Sequence, residues 1–203
     1  TWKQKVLNLV KNLVLNKNKK IFTRKEFIDE FMDELSTQYP DSLTPEQTLS
    51  RVLQQLIAEN RLKHLESGKY ELLPLFNLYQ KYSRNDVKKI LDIKTKRGPY
   101  ERGYWEHKES GEMYIFANVG IPGVTGHDYD NQWDGEVLKW EGDTISTIES
   151  DRIQKLIDND IDTHIFTRDT PRDLFTYEGI GIAQDVKDSL PVQISWVFEE
   201  DLI

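Results

Sequence analysis

Cysteine is absent from this 203-residue sequence, and several other features that identify common protein classes are absent with it. Without cysteine the protein has no disulfide framework and no thiolate metal site. No stretch of eighteen apolar residues is present, and the N-terminal run lacks the ordered regions of a secretion signal. We therefore expect a cytoplasmic location and no membrane partner.

Common catalytic and cofactor-binding motifs are also missing. The sequence has no phosphate loop ending in GKS or GKT, no GxGxxG fingerprint and no GxSxG nucleophile elbow. The four histidines are His64, His107, His127 and His164, and they show neither HxH nor HExxH spacing. We expect no metal and no cofactor, except for Mg²⁺ if the nuclease alternative described below holds.

Charge is unevenly distributed along the chain. Residues 1–72 carry 12 Lys and Arg against 10 Asp and Glu, whereas residues 73–203 carry 15 against 25. The densest basic runs are KNKKIFTRK at 17–25 and RNDVKKILDIKTKR at 84–97. Phosphate contacts form within about a Debye length, roughly 8 Å at physiological salt, so local patches matter more than the net charge. The same runs are also typical of a solvated protein surface.

The first third of the chain alternates helix and strand signals. Apolar residues at helical spacing predict a first helix between Trp2 and Leu15. A short extended IFT segment follows, and Thr23 with Glu26 has the spacing of a capping box that opens a second helix.

A third helix and a hairpin complete this segment. Thr44, Pro45 and Gln47 predict an N-cap, a proline in the first turn and a second capping box. The run RLKHLESGKYEL then predicts a hairpin over 62–72, with Gly68 at the position that needs positive φ.

The order helix, strand, helix, helix, hairpin resembles the winged-helix family, and we assign residues 1–73 to such a domain. The resemblance implies that the third helix enters a DNA major groove. The candidate DNA contacts are Gln47, Ser50, Arg51 and Gln54 on one face of that helix, and Lys69 on the hairpin. The alternative is a protein-docking adaptor, because winged helices also serve that purpose.

Residues 74–91 are interpreted as a helical connector, in which Ser83 caps a short helix. Residues 92–203 are rich in short extended runs broken by Gly, Pro and Asp. The predicted strands are 113–119, 136–140, 163–168, 174–186 and 191–198, and the one predicted helix lies between Glu149 and Asp158. We expect an α+β protein in which a winged helix precedes a β-rich open barrel.

Four segments of this second part resemble a known family of reader domains. They are IPGVTGHDYDNQW at 121–133, THIFTRD at 163–169, FTYEGIGIAQDV at 175–186 and PVQISWVF at 191–198. Together they are similar to the C-terminal domain of modification-dependent, helicase-type restriction enzymes. The resemblance implies a PUA-like or SRA-like pseudobarrel that binds double-stranded DNA, in some members through a flipped modified base. It also implies a nuclease or helicase subunit or domain as partner, because this chain has no helicase or HNH signature.

The loop VTGHDYDNQWDGE supplies the residue types that a base pocket needs. Aromatic walls stack on an extruded base, and fixed polar groups bond its edge. We assign Tyr129 and Trp133 to the walls and His127, Asp128 and Asn131 to the edge. The same polar residues are also common turn formers, and the tryptophans are also typical of a core. The candidate phosphate contacts are Lys96, Arg97, Arg102 and Arg168.

The same loop raises a rival enzymatic interpretation, a small Mg²⁺-dependent restriction endonuclease. Its catalytic residues would be Asp128, Asp130, Glu136 and Lys139. Glu136 and Lys139 are three residues apart, so in a regular strand their side chains point to opposite faces. A nuclease needs both on one face. The sequence therefore favours a non-catalytic, DNA-binding specificity protein or subunit of a bacterial restriction or defence system.

Overall fold

The computed structural model describes residues 2–17, 19–95, 98–121 and 129–198. It divides the chain into two compact units, one reaching Leu75 and the other beginning at Phe76. Among the described residues, no helix has the length and apolar composition needed to cross a bilayer.

The first unit contains three helices and a three-stranded sheet. Its elements are α1 (Trp2–Asn16), β1 (Ile21–Thr23), α2 (Arg24–Gln38), α3 (Pro45–Ala58), β2 (Leu62–Leu65) and β3 (Lys69–Leu72). The strands are antiparallel in the order β1-β3-β2. The helices bury their apolar faces in one core, to which α3 contributes Leu49, Val52, Leu53 and Leu56. The order predicted from the sequence, helix, strand, helix, helix, hairpin, is confirmed.

Local hydrogen bonds explain where these helices begin. Thr23 Oγ1 accepts from the Glu26 backbone N–H at 3.1 Å, while the Thr23 backbone N–H donates to Glu26 Oε2 at 2.7 Å. The bond from Lys19 and those from Thr23 lower the pKa of Glu26 to about 2. Thr44 precedes α3 as predicted and Pro45 occupies its first turn, but the Thr44 side chain forms no capping bond. Its ψ of 71° departs from the extended conformation typical of a cap, so the second predicted capping box is wrong.

The second unit is built on an eight-stranded mixed sheet. Its strands are β4 (Lys81–Tyr82), β5 (Tyr104–Glu106), β6 (Met113–Asn118), β7 (Gln132–Asp134), β8 (Val137–Glu141), β9 (Thr163–Arg168), β10 (Phe175–Lys187) and β11 (Gln193–Phe198). The order is β5-β6-β9-β10-β11-β8-β7, with β4 paired to β10. The β6–β9 pair is parallel, and every other pair of described strands is antiparallel. Two short helices, α4 (Arg84–Ile90) and α5 (Asp151–Ile157), accompany the sheet.

The sheet buries side chains on both faces, because its central strands alternate between two apolar clusters. On β6, Ile115 belongs to an aliphatic core with α5, while Tyr114 and Phe116 belong to a cluster of aromatic rings. Phe166 of β9 stacks on Phe116 with ring centroids 4.8 Å apart. Strands buried on two faces read as continuous apolar runs, which is why YIF and HIF stand out in the sequence.

The segment expected to be a connector belongs to the second unit from Phe76 onward. Phe76 lies among the aromatic rings, with centroids 5.1 Å from Phe166 and 5.2 Å from Tyr177. Tyr82 pairs with Phe175 in the sheet, and Ser83 caps α4 as predicted. A 74–91 connector is therefore not a separate element, since its aromatic side chains complete one face of the sheet.

Candidate functional site

The second unit contains a cavity of about 680 Å³. That volume lies within the range of roughly 300 to 1,000 Å³ typical of ligand pockets. Its aromatic lining consists of Tyr104, Phe116, Tyr129 and Trp140, and its arginines are Arg84, Arg102, Arg152 and Arg168. Flat rings and cations thus line the same concave surface.

The sheet holds two of the aromatic side chains in fixed positions. Tyr104 of β5 and Trp140 of β8 meet edge to face, with ring centroids 5.2 Å apart and planes at 90°. Arg152 of α5 places its guanidinium carbon 5.1 Å from the Tyr104 ring centroid. Burial, followed by the charge of Asp143, raises the pKa of Tyr104, so its hydroxyl is protonated at neutral pH. The Tyr104 hydroxyl is thus neutral, and it is hydrogen-bonded to Asp143 on this side of the cavity.

Tyr129, predicted as a pocket wall, does line the cavity. Its side chain is half-buried, and burial, together with the charges of Asp143 and Glu141, raises its pKa. A partly exposed ring at a cavity wall is the part of this lining best placed to stack on a ligand.

Asn131, predicted to bond the edge of a base, also lines the cavity but is engaged with the backbone. Its Nδ2 donates to the Asn118 carbonyl at 3.0 Å, and its Oδ1 accepts from the Glu141 backbone N–H at 2.9 Å. The amide therefore ties the start of β7 to β6 and β8. The amide nitrogen and oxygen of Asn131, which the sequence had suggested for base recognition, are thus bonded to the backbone of neighbouring strands.

Trp133, predicted as a second pocket wall, lies on β7 and does not line this cavity. Its side chain is 39% exposed and contacts Phe198, with ring centroids 5.7 Å apart. Trp140 and Trp196 are buried, as expected of core residues. Four other predicted contacts, His127, Asp128, Lys96 and Arg97, lie outside the described residues.

Two arginines at the cavity come from distant parts of the sequence. Arg84 begins α4 and Arg168 ends β9, yet their guanidinium carbons lie 5.3 and 4.4 Å from the centroid of one ring, Phe175. Arg84 also lies 4.3 Å from the Phe116 ring centroid. Arg102 is exposed, and its carbonyl accepts a hydrogen bond from Arg84 Nη1 at 2.8 Å. The sequence identified Arg168 and Arg102, whereas Arg84 was seen only as part of a basic run.

The predicted DNA-contacting face of α3 is exposed at three of its four positions. Gln47, Arg51 and Gln54 are exposed, while Ser50 is half-buried and its Oγ donates to the Glu46 carbonyl at 3.0 Å. Lys69, at the start of β3, is exposed as well.

The described residues of the rival nuclease interpretation are a turn residue, a lysine in an ion pair and a residue hydrogen-bonded through its backbone. Glu136 lies in the turn between β7 and β8, and Lys139 Nζ pairs with Asp134 Oδ2 at 2.5 Å. The Asp130 backbone N–H donates to Glu141 Oε2 at 2.9 Å. Lys139, the cation that this interpretation assigns to catalysis, is thus occupied by a neighbour on the same hairpin.

Residues able to hold a metal ion meet elsewhere. Ligand atoms of Glu112, Asp162 and His164 lie within 4.8 Å of one another, because β6 and β9 run parallel in register. Glu112 Oε2 also accepts from the Tyr114 hydroxyl at 3.0 Å, and His164 Nδ1 lies 2.8 Å from the Tyr177 hydroxyl oxygen. Carboxylate and imidazole donors suit a divalent cation, but here they also belong to a buried hydrogen-bond network. Sequence spacing could not reveal this group, since its members come from two strands.

Comparison with known proteins adds a family match and one structural likeness. The model of the family "Domain of unknown function (DUF3427)" matches residues 76–201, which is the second unit. No curated protein matches the chain. Among solved structures, SUVH6 of Arabidopsis thaliana in complex with SAM is similar, with a TM-score of 0.41 and 13% identity. The likeness covers 97% of this chain and 38% of that one.

Proposed function

This chain belongs to the DUF3427 family, and we propose that it is a DNA-binding specificity protein or subunit of a bacterial restriction or defence system. In this proposal the second unit takes a sequence-specific or modified base into its cavity, and the first unit binds the duplex as a winged helix. The eight-stranded sheet would then correspond to the PUA-like or SRA-like pseudobarrel expected from the sequence.

The observation that carries this proposal is the lining of the cavity. An extruded base needs flat side chains for stacking, polar groups for its edge and cations for the flanking phosphates. Tyr129 and Tyr104 provide rings, and Asp143 and Glu141 provide acceptors beside them. Arg84 and Arg168 provide the cations. A lining of this kind suits a nucleotide better than an apolar ligand.

The first unit supports the same proposal through charge and exposure. Residues 1–72 have more basic than acidic side chains, in contrast to the acidic remainder of the chain. Arg51 and its glutamine neighbours Gln47 and Gln54 form an exposed polar face on α3, with side chains able to bond base edges or phosphates. We infer that initial DNA attraction comes from this unit. Because it is electrostatic in part, affinity for any duplex should fall steeply between low and moderate salt.

The proposal is tested by fluorescence anisotropy with duplexes that are unmodified or carry 5-methylcytosine, 5-hydroxymethylcytosine or 6-methyladenine. We expect one duplex to be preferred, and Tyr129→Ala to reduce binding to it by about 5- to 150-fold, the value of one base stack. Tyr79→Ala is the matched control, because Tyr79 is a 73% exposed tyrosine of the same unit outside the cavity lining.

Each result that contradicts the proposal favours a different interpretation of the protein's function. If no duplex binds at any salt concentration, the DNA proposal fails and the winged-helix adaptor gains support. If Mg²⁺ produces cleavage that Glu136→Ala abolishes, the chain is a nuclease. If Tyr129→Ala and Tyr79→Ala behave alike, the cavity does not receive the base.

A further inference from the structure

Two like charges share one aromatic ring at the cavity. Arg84 and Arg168 both place their guanidinium carbons over Phe175, at 5.3 and 4.4 Å from its centroid. Both residues are partly buried and both line the cavity. Such cation–π contacts contribute on the order of 0.5 to 2 kcal/mol, so they hold the guanidinium planes in place without neutralising their charge.

Within the described part of the chain, neither charge of this pair has a carboxylate of its own: the attraction of Glu101 on Arg84 and of Asp173 on Arg168 is weaker than the effect of burial. Burial lowers the pKa of Arg84 to about 10, Glu101 opposes the shift, and the charge of Arg168 adds to it. Glu101 already forms an ion pair with Lys88. Among the described residues, neither arginine has a carboxylate oxygen within salt-bridge distance. Lys81, by contrast, does have a carboxylate partner, because its Nζ lies 2.7 Å from Asp173 Oδ2.

Most hydrogen-bond donors of the pair are unused by the described residues. A guanidinium carries five N–H groups. Arg84 donates through Nη1 to one backbone carbonyl, and Arg168 donates to Asn118 Oδ1 at 2.7 Å and to the Asp173 carbonyl at 3.2 Å. All three acceptors are neutral. Two positioned forks therefore retain N–H groups for a ligand at the cavity.

From this geometry we infer that Arg84 and Arg168 form a phosphate-binding site within the cavity. The inference rests on the proposed function, because it takes the nucleotide whose base lies among the rings and adds where its phosphate binds. Guanidinium groups bind phosphate oxygens through two parallel hydrogen bonds, which a point charge cannot reproduce. The ligand is a phosphate ester, whether the terminal phosphate of a mononucleotide or a backbone phosphodiester of DNA.

The first experiment compares deoxynucleosides with their 5′-monophosphates by calorimetric titration of the full chain. We expect a monophosphate to bind at least about tenfold more tightly than its nucleoside, because charge-assisted hydrogen bonds contribute at that level. Arg84→Gln and Arg168→Gln should each remove most of this advantage. Arg168→Lys should keep only part of the monophosphate's advantage, since the positive charge remains but the paired N–H donors of the guanidinium are lost. Arg172→Gln, an exposed arginine of the same unit outside the lining, should leave it unchanged.

The second experiment addresses the backbone source through the salt dependence of duplex binding. Removing one phosphate contact reduces the slope of log affinity against log salt concentration by about one. Arg84→Gln should show that reduction, and Arg172→Gln should not.

These arms separate the two proposals. If nucleoside and monophosphate bind the wild-type chain equally, and Arg84→Gln leaves the duplex salt slope unchanged, the phosphate site is overturned while base reading stands. If the duplex binds but nucleosides and monophosphates do not, the salt dependence decides: a slope reduced by Arg84→Gln supports the phosphate site, and an unchanged slope overturns it. If neither nucleosides, nucleotides nor duplexes bind, the proposed function fails together with this inference. The wild-type comparison needs no variant, so a folding defect in Arg84→Gln does not prevent a decision.

Discussion

Replacing Gly181 with alanine should destabilise the second unit by overpacking its core. Gly181 lies in β10, between β9 and β11, in the centre of the sheet. A Cβ at this position would be 2.4 Å from Ile165 Cδ1 and 2.8 Å from Trp196 Cε3. Both neighbours are fully buried in the aliphatic core. Since carbon atoms pack best at about 3.5 to 4.0 Å, each contact would be about 1 Å too short.

The size of the effect depends on how far the two neighbours can move. The end of Ile165 can change rotamer, whereas the Trp196 ring is enclosed on a central strand, so relief is only partial. Overpacking of this kind costs about 1 to 3 kcal/mol. For a unit of this size, that lowers the melting temperature by roughly 4 to 12 °C.

The assay is urea unfolding followed by tryptophan fluorescence and by circular dichroism. Gly103→Ala is the matched control, because a Cβ there meets no heavy atom within 4 Å. It should change the free energy of unfolding by less than about 0.5 kcal/mol. Adding Ile165→Val to Gly181→Ala removes the atom of closest contact and should recover part of the loss. If Gly181→Ala is as stable as the control, the close packing across β9, β10 and β11 is refuted.

Three further predictions concern the α3 face, pH and metals. Arg51→Ala should weaken DNA binding in a mobility-shift assay while changing the melting temperature by no more than a degree or two, since Arg51 is exposed; loss of folding would contradict the orientation of α3. Because the pKa of Glu26 is about 2 instead of its ordinary 4.5, its stabilising contribution is complete above pH 4.5 and is lost as pH falls towards 2. Thermal melts should show that loss in the wild type and a smaller one in Glu26→Gln; equal pH profiles would refute the role of the carboxylate. Purified protein with Mg²⁺ or Mn²⁺ should leave supercoiled plasmid intact on a gel, and cleavage that Glu136→Ala abolishes would reverse the non-catalytic interpretation.

Features that depend on neighbouring residues could be predicted from the sequence. The capping box of Thr23 with Glu26 joins residues three apart, and the predicted cap of Ser83 on α4 is equally local, so the chain carries each interaction in one short stretch. The exposed face of α3 follows from helical periodicity in the same way. Thr44 has the same sequence signature, yet its backbone conformation keeps the side chain from capping, and no local pattern revealed that.

Features that depend on strand pairing could not be predicted. The sequence placed Trp133 and Asn131 in one base pocket because they share a loop. In the structure one is on an edge strand outside the cavity and the other is bonded to backbone on both sides. Arg84, which lies over the same ring as Arg168, is 84 positions away from it in the chain. The sequence showed which residue types are present, but it did not show which residues they would contact in the folded protein.

The sequence by itself determined the positions of most helices and strands and the exposed face of α3, because period and capping act over a few residues. Only the tertiary structure decided which polar side chains lie next to one another. The parallel pairing of β6 with β9 brings Glu112, Asp162 and His164 together, and Arg84 at the start of α4 lies over the Phe116 and Phe175 rings at the cavity. Those meetings depend on long-range pairing, which is selected by the burial of the whole sheet and leaves no fixed spacing along the chain.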